Sequence, residues 1–174
     1  MLSNPRAAPR LGKFRALEPE SRAFDFRLAE LRVFDFFEMI CGSKVRVAGP
    51  AMIANKYGKI VTVISDAGRV GEPNLEIYSG AKAGAAGFMR AIAKDLGRAG
   101  ITANCVALGA TRTPAIERAT ADPETVKRML KVYQIKRIGE PEDAANMILF
   151  LSSDASSWIT GQTIPVNGGY SFAM

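Results

Sequence analysis

Apolar positions fall into three short runs, separated by stretches in which they recur every three or four residues. The first run, Ile60-Val-Thr-Val-Ile64, is β-branched and free of turn formers, which predicts a buried strand over 59–65. The second, Ile101-Thr-Ala-Asn-Cys-Val-Ala107, follows a helix stop at Gly97 and Gly100 and predicts a strand over 101–107. The third, Gln162-Thr-Ile-Pro-Val166, predicts a strand over 162–167, and its Pro165 points to the edge of a sheet. Between the first two runs, Ala81 to Leu96 is rich in alanine and carries Phe88, Ile92 and Leu96 at helical spacing. Before the third, Gly139-Glu-Pro-Glu-Asp143 opens a helix through Ala144 to Leu151, with Pro141 near its first position and acids in its first turn. Strands alternating with helices predict an α/β fold with a parallel sheet and flanking crossover helices.

The chain before the first strand is different in character. Met1 to about Glu20 is rich in Pro, Arg and Ala and reads as disordered. Ser21 to Ile40 carries Phe24, Phe26, Leu28, Leu31, Phe34, Phe36 and Phe37. Some of these suit one helical face and some suit strand alternation; helix is the preferred reading. These aromatics are expected to cover apolar surface rather than to form a ligand site. Val45 to Tyr57 reads as the end of a helix, so the chain divides into an atypical, partly disordered segment 1–44 and an α/β body 45–174.

Candidate chemistry lies between the first strand and the long helix. Ser65 closes the strand, a polar loop with Gly68, Gly71 and Pro73 follows, and Tyr78 and Lys82 come one helical turn apart on one face. A phenol, with an ordinary pKa of about 10, exchanges protons poorly near neutrality, but a nearby ammonium favours the phenolate. Lys82 can supply that charge, and Ser65 can hydrogen-bond the oxygen that Tyr78 protonates or deprotonates. Tyr and Lys four apart are also common on ordinary helices. The order of strand, Ser, glycine-bearing loop, Tyr and Lys is what singles this pair out.

From about Met52 to Tyr170 the chain resembles the short-chain dehydrogenase/reductase family. Six ordered blocks carry the resemblance: Gly58 to Ser65, Tyr78-Ser-Gly-Ala-Lys82, Gly100 to Val106, Gly109-Ala-Thr-Arg-Thr113, Gly139 to Asp143, and Thr160 to Gly169. It implies the second half of a Rossmann-type parallel sheet, N-terminally truncated, and hydride transfer between NAD or NADP and a carbonyl/alcohol pair, an acyl thioester or cyclic alcohol among the candidates. Tyr78 would be the acid/base and Lys82 its partner, both also touching the cofactor; Ser65 would orient the substrate, and Gly109, Thr111 and Thr113 would meet the nicotinamide end. Thr113 also suits a helix N-cap before Pro114, and both roles can coexist. The family's substrate-covering segment falls on Thr113 to Gln134.

The resemblance has gaps. The family's opening glycine-rich turn, which brings backbone to the cofactor pyrophosphate, has no counterpart before Gly58. Leu108 stands where the family usually has Pro, and Asn167 where it more often has Asp. A second reading therefore stays open: an inactive truncated chain, or an interaction partner, lacking a complete cofactor pocket. Gly80, Gly84, Gly87 and Ala91 form a stripe of small residues that demands a close neighbour, either another helix of this chain or, as the family implies, a second copy in a homo-oligomer.

Composition removes other classes. With no histidine, a His-based metal site or a Ser-His-Asp triad is excluded, and two distant cysteines, Cys41 and Cys105, suggest a reducing cytoplasm rather than a disulfide framework. The net charge of +6 is spread evenly: residues 1–50 hold nine Lys/Arg against six Asp/Glu, so no nucleic-acid patch is expected. No apolar run approaches the roughly 20 residues needed to span a bilayer, so no membrane association is expected.

Overall fold

The computed structural model describes residues 43–172. The readings made for Met1 to Glu20 and for the aromatic segment Ser21 to Ile40 lie outside the described residues. Helix α1, Ser43–Asn55, carries Pro50 inside it and leads to strand β1, Gly58–Ser65. The short helix α2, Ala67–Val70, and the long helix α3, Glu76–Leu96, follow. Strand β2 is Ile101–Leu108; α4, Pro114–Ala119, and α5, Pro123–Met129, cover the next stretch. Helix α6, Pro141–Ser152, and strand β3, Thr163–Val166, complete the described fold.

The three strands form one parallel sheet in the order β1-β2-β3. Pairing runs from Gly58 opposite Ile101 to Ser65 opposite Leu108, so the carboxyl ends of β1 and β2 finish level. The central strand is buried from Ile101 through Ala107, as a β-branched and small-residue run in a parallel sheet should be. Among the described residues β3 is an edge strand, so the missing N–H of its Pro165 costs no ladder bond to a further strand. Among the described residues β1 has no strand on its other side.

Helix α3 packs on the sheet through Ala85, Ala86, Met89 and Ala93, which join Ile64, Ala103, Cys105 and Ala107 in the core. The helix begins at Glu76 and so carries both Tyr78 and Lys82, in line with their expected spacing on one helical face. The linker before it is also more regular than the loop expected there, because residues 67–70 make a helical turn. Gly100 closes the α3–β2 connection at φ +74°, and a Cβ there would lie 2.5 Å from the Lys56 carbonyl oxygen; both facts require glycine. At the start of α6 the Glu140 N–H donates to Asp143 Oδ2 at 2.7 Å, which satisfies a backbone donor at the head of the helix. Trp158, in the loop before β3, is 99% exposed.

Among the described residues, the small-residue stripe on α3 does not meet another helix. Gly80 and Gly84 are exposed, a Cβ on Gly80 would find nothing within 4 Å, and one on Gly87 would meet only Arg90 Nη2 at 3.8 Å. Among the described residues, the in-chain neighbour is therefore not what the stripe serves.

Candidate active site

A cavity of about 550 Å³ opens at the carboxyl end of β1 and β2, the rim on which parallel sheets present ligands. Ser65, as the last residue of β1, and Gly109, just past β2, line it because the two strands end together. Tyr78 lines it from the first turn of α3 and is 45% exposed. Apolar walls come from Leu75, Leu108, Ile116, Met129 and Val132, so the segment 113–134 does contribute to the cavity.

Ser65 Oγ accepts the Ala67 N–H at 3.3 Å, which leaves the hydroxyl proton to be donated to an oxygen in the cavity. Lys82, one turn beyond Tyr78, holds its Nζ 5.5 Å from the centre of the Tyr78 ring. The predicted pair thus lies together, and of its two members Tyr78 lines the cavity with Ser65 while Lys82 lies behind the Tyr78 ring. Such a group can orient a carbonyl or hydroxyl oxygen, exchange a proton with it and stabilise negative charge on the phenol oxygen.

The remaining predicted residues are arranged differently. Thr111 lines a second cavity of about 500 Å³, between the β2 loop and α6, and its hydroxyl donates to the Gly109 carbonyl at 3.2 Å. Thr113 Oγ1 accepts the Ile116 N–H at 3.3 Å and caps α4, with Pro114 at the first helical position. Its own proton remains available, so the capping role leaves a second role possible. A Cβ on Gly109 would approach Asn167 Cα to 3.0 Å and the Tyr133 hydroxyl to 3.2 Å; glycine is needed there for packing.

Sequence reasoning missed the polar groups behind this cavity. Asp66, 1% exposed, receives hydrogen bonds from Arg69, Asn167 and Ser171. The Tyr170 hydroxyl donates to Glu72 Oε2 at 2.6 Å, and that carboxylate, with partial burial, pushes the phenol up to about 12. The Tyr133 ring lies 5.2 Å from that of Tyr170, and its oxygen accepts the Ala110 N–H at 2.8 Å. Burial raises the Tyr133 phenol above its usual range. The only signal for any of these was Asn167 in place of the family's more frequent Asp.

A nicotinamide dinucleotide fits the described residues in part. Tyr78 and Lys82 offer a hydroxyl and an ammonium for a nicotinamide ribose, but the β1–α2 junction is no pyrophosphate cradle: a Cβ on its Gly68 would strike Lys82 at 2.6 Å. No glycine-rich strand-to-helix turn occurs elsewhere among the described residues. These residues also contain no group of three or more side chains suited to a metal, and no helix long and apolar enough to cross a membrane.

A parallel sheet with flanking helices, carrying Ser65 and Tyr78 on its carboxyl rim, defines a Rossmann-type α/β protein. A family model described as enoyl-(acyl carrier protein) reductase matches residues 41–171. The chain belongs to the short-chain dehydrogenase/reductase family. It is 40% identical over 146 residues to 7alpha-hydroxysteroid dehydrogenase of Escherichia coli (strain K12), covering 83% of this chain and 55% of that protein. It is 46% identical over 121 residues to (2S)-[(R)-hydroxy(phenyl)methyl]succinyl-CoA dehydrogenase subunit BbsD of Thauera aromatica, covering 69% and 47%. The solved 3-oxoacyl-[acyl-carrier protein] reductase of Brucella melitensis ATCC 23457 superposes with a TM-score of 0.70 at 31% identity, over 79% of this chain and 54% of that one. The chain spans about half the length of the curated relatives it matches.

Proposed function

We propose that this chain carries the proton-transfer half of an oxidoreductase that interconverts a carbonyl and an alcohol. The supporting observation is that Ser65 and Tyr78 line one cavity while the Lys82 ammonium lies against the Tyr78 ring. Ser65 donates a hydrogen bond to the substrate oxygen; Tyr78 gives that oxygen a proton in reduction and takes it back in oxidation. Lys82 stabilises the negative charge that develops on the Tyr78 oxygen. A bound NAD or NADP would supply the hydride, with Tyr78, Lys82 and the Gly109, Thr111 and Thr113 loop at its nicotinamide end. The apolar walls suit a substrate with a hydrocarbon or ring body, and the names of the relatives include both a CoA thioester and a steroid alcohol.

Oxidation of NADH or NADPH in the presence of a carbonyl panel tests the reading, with Tyr78→Phe as control. The expected result is turnover that falls about 10²–10⁴-fold in the variant; equal rates in both proteins would remove Tyr78 from the mechanism. The outward-facing glycines of α3 support a homo-oligomer built on that helix, and a monomeric mass at micromolar concentration in analytical ultracentrifugation would oppose it. The two separated cysteines fit a cytoplasmic protein.

One observation favours a second reading. Among the described residues the sheet ends at β1 and no pyrophosphate turn accompanies it, so the catalytic groups lack, within that part of the chain, contacts that would hold a dinucleotide. On that reading the chain is inactive alone, or serves as a partner for other polypeptides. Titration with NADH and NADPH separates the two, since saturable binding at micromolar cofactor belongs only to the first.

A further inference from the structure

We infer that Asp66 is a positioning residue: its buried carboxylate clasps the C-terminal segment 167–172 behind the cavity and so fixes the Tyr133–Tyr170 wall beside Ser65. Asp66 directly follows Ser65, and its N–H donates to the Leu108 carbonyl at 2.9 Å, so it is bound to the rim of both strands. Its Oδ1 accepts from Arg69 Nη1 at 2.6 Å, and its Oδ2 accepts from Asn167 Nδ2 at 2.8 Å and from the Ser171 hydroxyl. Arg69 reaches the same segment, donating to Ser171 Oγ at 2.8 Å and to the Phe172 carbonyl at 3.0 Å. A charge buried to this extent is costly unless several donors surround it, and here every donor but Arg69 comes from the far end of the chain.

The clasp reaches the cavity through short links. Tyr170 lies between Asn167 and Ser171, and its hydroxyl is held by Glu72. The Gly168 carbonyl accepts the N–H groups of Gln134 and Ile135, which places Tyr133 against Tyr170 and against the Ala110 N–H. Ser65, Tyr133 and Tyr170 all line the cavity, so one carboxylate ties its floor to two of its walls.

The side-chain orientations make the arrangement testable. Asn167 Oδ1 accepts the Gly169 N–H at 3.0 Å, so its amide group is committed to pointing at Asp66. In Asp66→Asn the new amide nitrogen must face either Asn167 Nδ2 or, flipped, Arg69 Nη1, so one donor loses its acceptor either way, and Asn167→Asp sets carboxylate against carboxylate. The double variant Asp66→Asn/Asn167→Asp restores one donor and one acceptor with their places exchanged.

Hydrogen exchange on the full-length chain reads the clasp without any need for turnover. The expected result is amide exchange at residues 168–171 about tenfold faster in each single variant, unchanged exchange in β2, and return to within about threefold of wild type in the double variant. Ser171→Ala removes the hydroxyl that donates to Asp66 and accepts from Arg69 and Asn167 but leaves the Asp66 carboxylate with its Arg69 and Asn167 donors, so it gives a smaller change in the same amides and keeps the test decisive if Asp66→Asn does not fold. Wild-type exchange at 168–171 in both Asp66→Asn and Ser171→Ala, or a double variant no better protected than Asp66→Asn, would overturn the inference. A second arm rests on the proposed carbonyl chemistry: KM for the carbonyl substrate rises several-fold more than kcat falls in Asp66→Asn, and the double variant reverses the split. If the wild-type chain turns over no carbonyl, that function fails while the exchange result still decides the clasp.

Discussion

Gly68 and Lys82 are packed backbone to side chain: a Cβ on Gly68 would lie 2.6 Å from Lys82 Cβ and 2.7 Å from its carbonyl carbon. The short helix after Ser65 is thus pressed onto the helix that carries Tyr78 and Lys82, and it sets the spacing between the serine and the pair. Gly68→Ala is expected to cost about 1–3 kcal/mol, as overpacking does, with the loss read as a lower urea midpoint at unchanged m-value. A midpoint equal to that of wild type would show that α2 moves away at no cost.

Tyr170 gives a pH signature at the alkaline end. Its hydroxyl donates to Glu72, and the carboxylate, followed by partial burial, raises the phenol to about 12 from an ordinary 10. A raised acid favours the neutral form in the folded state, so its contribution is fully present below pH 10 and is lost as pH climbs through about 12. The stability difference between wild type and Tyr170→Phe should be level below pH 10 and shrink above it. A difference that does not change between pH 9 and 12 would mean that the Glu72 bond is not made in solution.

Met89 is 1% exposed at the centre of the contact between α3 and the sheet, and its sulfur accepts a hydrogen bond from Thr62 Oγ1 at 3.3 Å. Met89→Ala should cost about 2–5 kcal/mol by combined transfer and cavity terms. Leu149, also apolar but 70% exposed on α6, should change stability by less than about 0.5 kcal/mol when truncated to alanine. Chemical denaturation of the two variants side by side checks the assignment of core and surface.

At Thr113 the capping role has its own consequence. Loss of the bond to the Ile116 N–H in Thr113→Ala should cost about 1 kcal/mol, and Thr113→Ser should retain it. These effects should appear in cofactor-free protein. A weakened NADH or NADPH affinity in the alanine variant, with none in the serine variant, would assign the hydroxyl its second role.

Much of the framework could be read from local pattern. The strands at Ile60 to Ile64 and Ile101 to Ala107 are continuous apolar runs, and such runs are buried wherever the chain alternates with helices. Pro165 marked an edge and Pro114 a helix start because a missing N–H restricts each to few places. Ser65, Tyr78 and Lys82 were legible because they lie close in sequence across one strand and one helix. Asp66 and Asn167 were not, since their contact spans 101 residues and depends on how β1 and β3 flank β2. The stripe of Gly80, Gly84 and Gly87 reported a demand for close packing but could not say on which side of the molecule it would be met.

Trp158 stands almost wholly in water, and it is the only indole in the sequence. Its emission in the native protein should already sit where it does in denaturant, so melting curves followed through it will look flat even as the sheet comes apart. The four phenols at 57, 78, 133 and 170 are the useful chromophores. Two of them, Tyr133 and Tyr170, lie ring beside ring at a tilt on the wall of the cavity that Ser65 lines, so their absorbance reports on that wall as it comes apart.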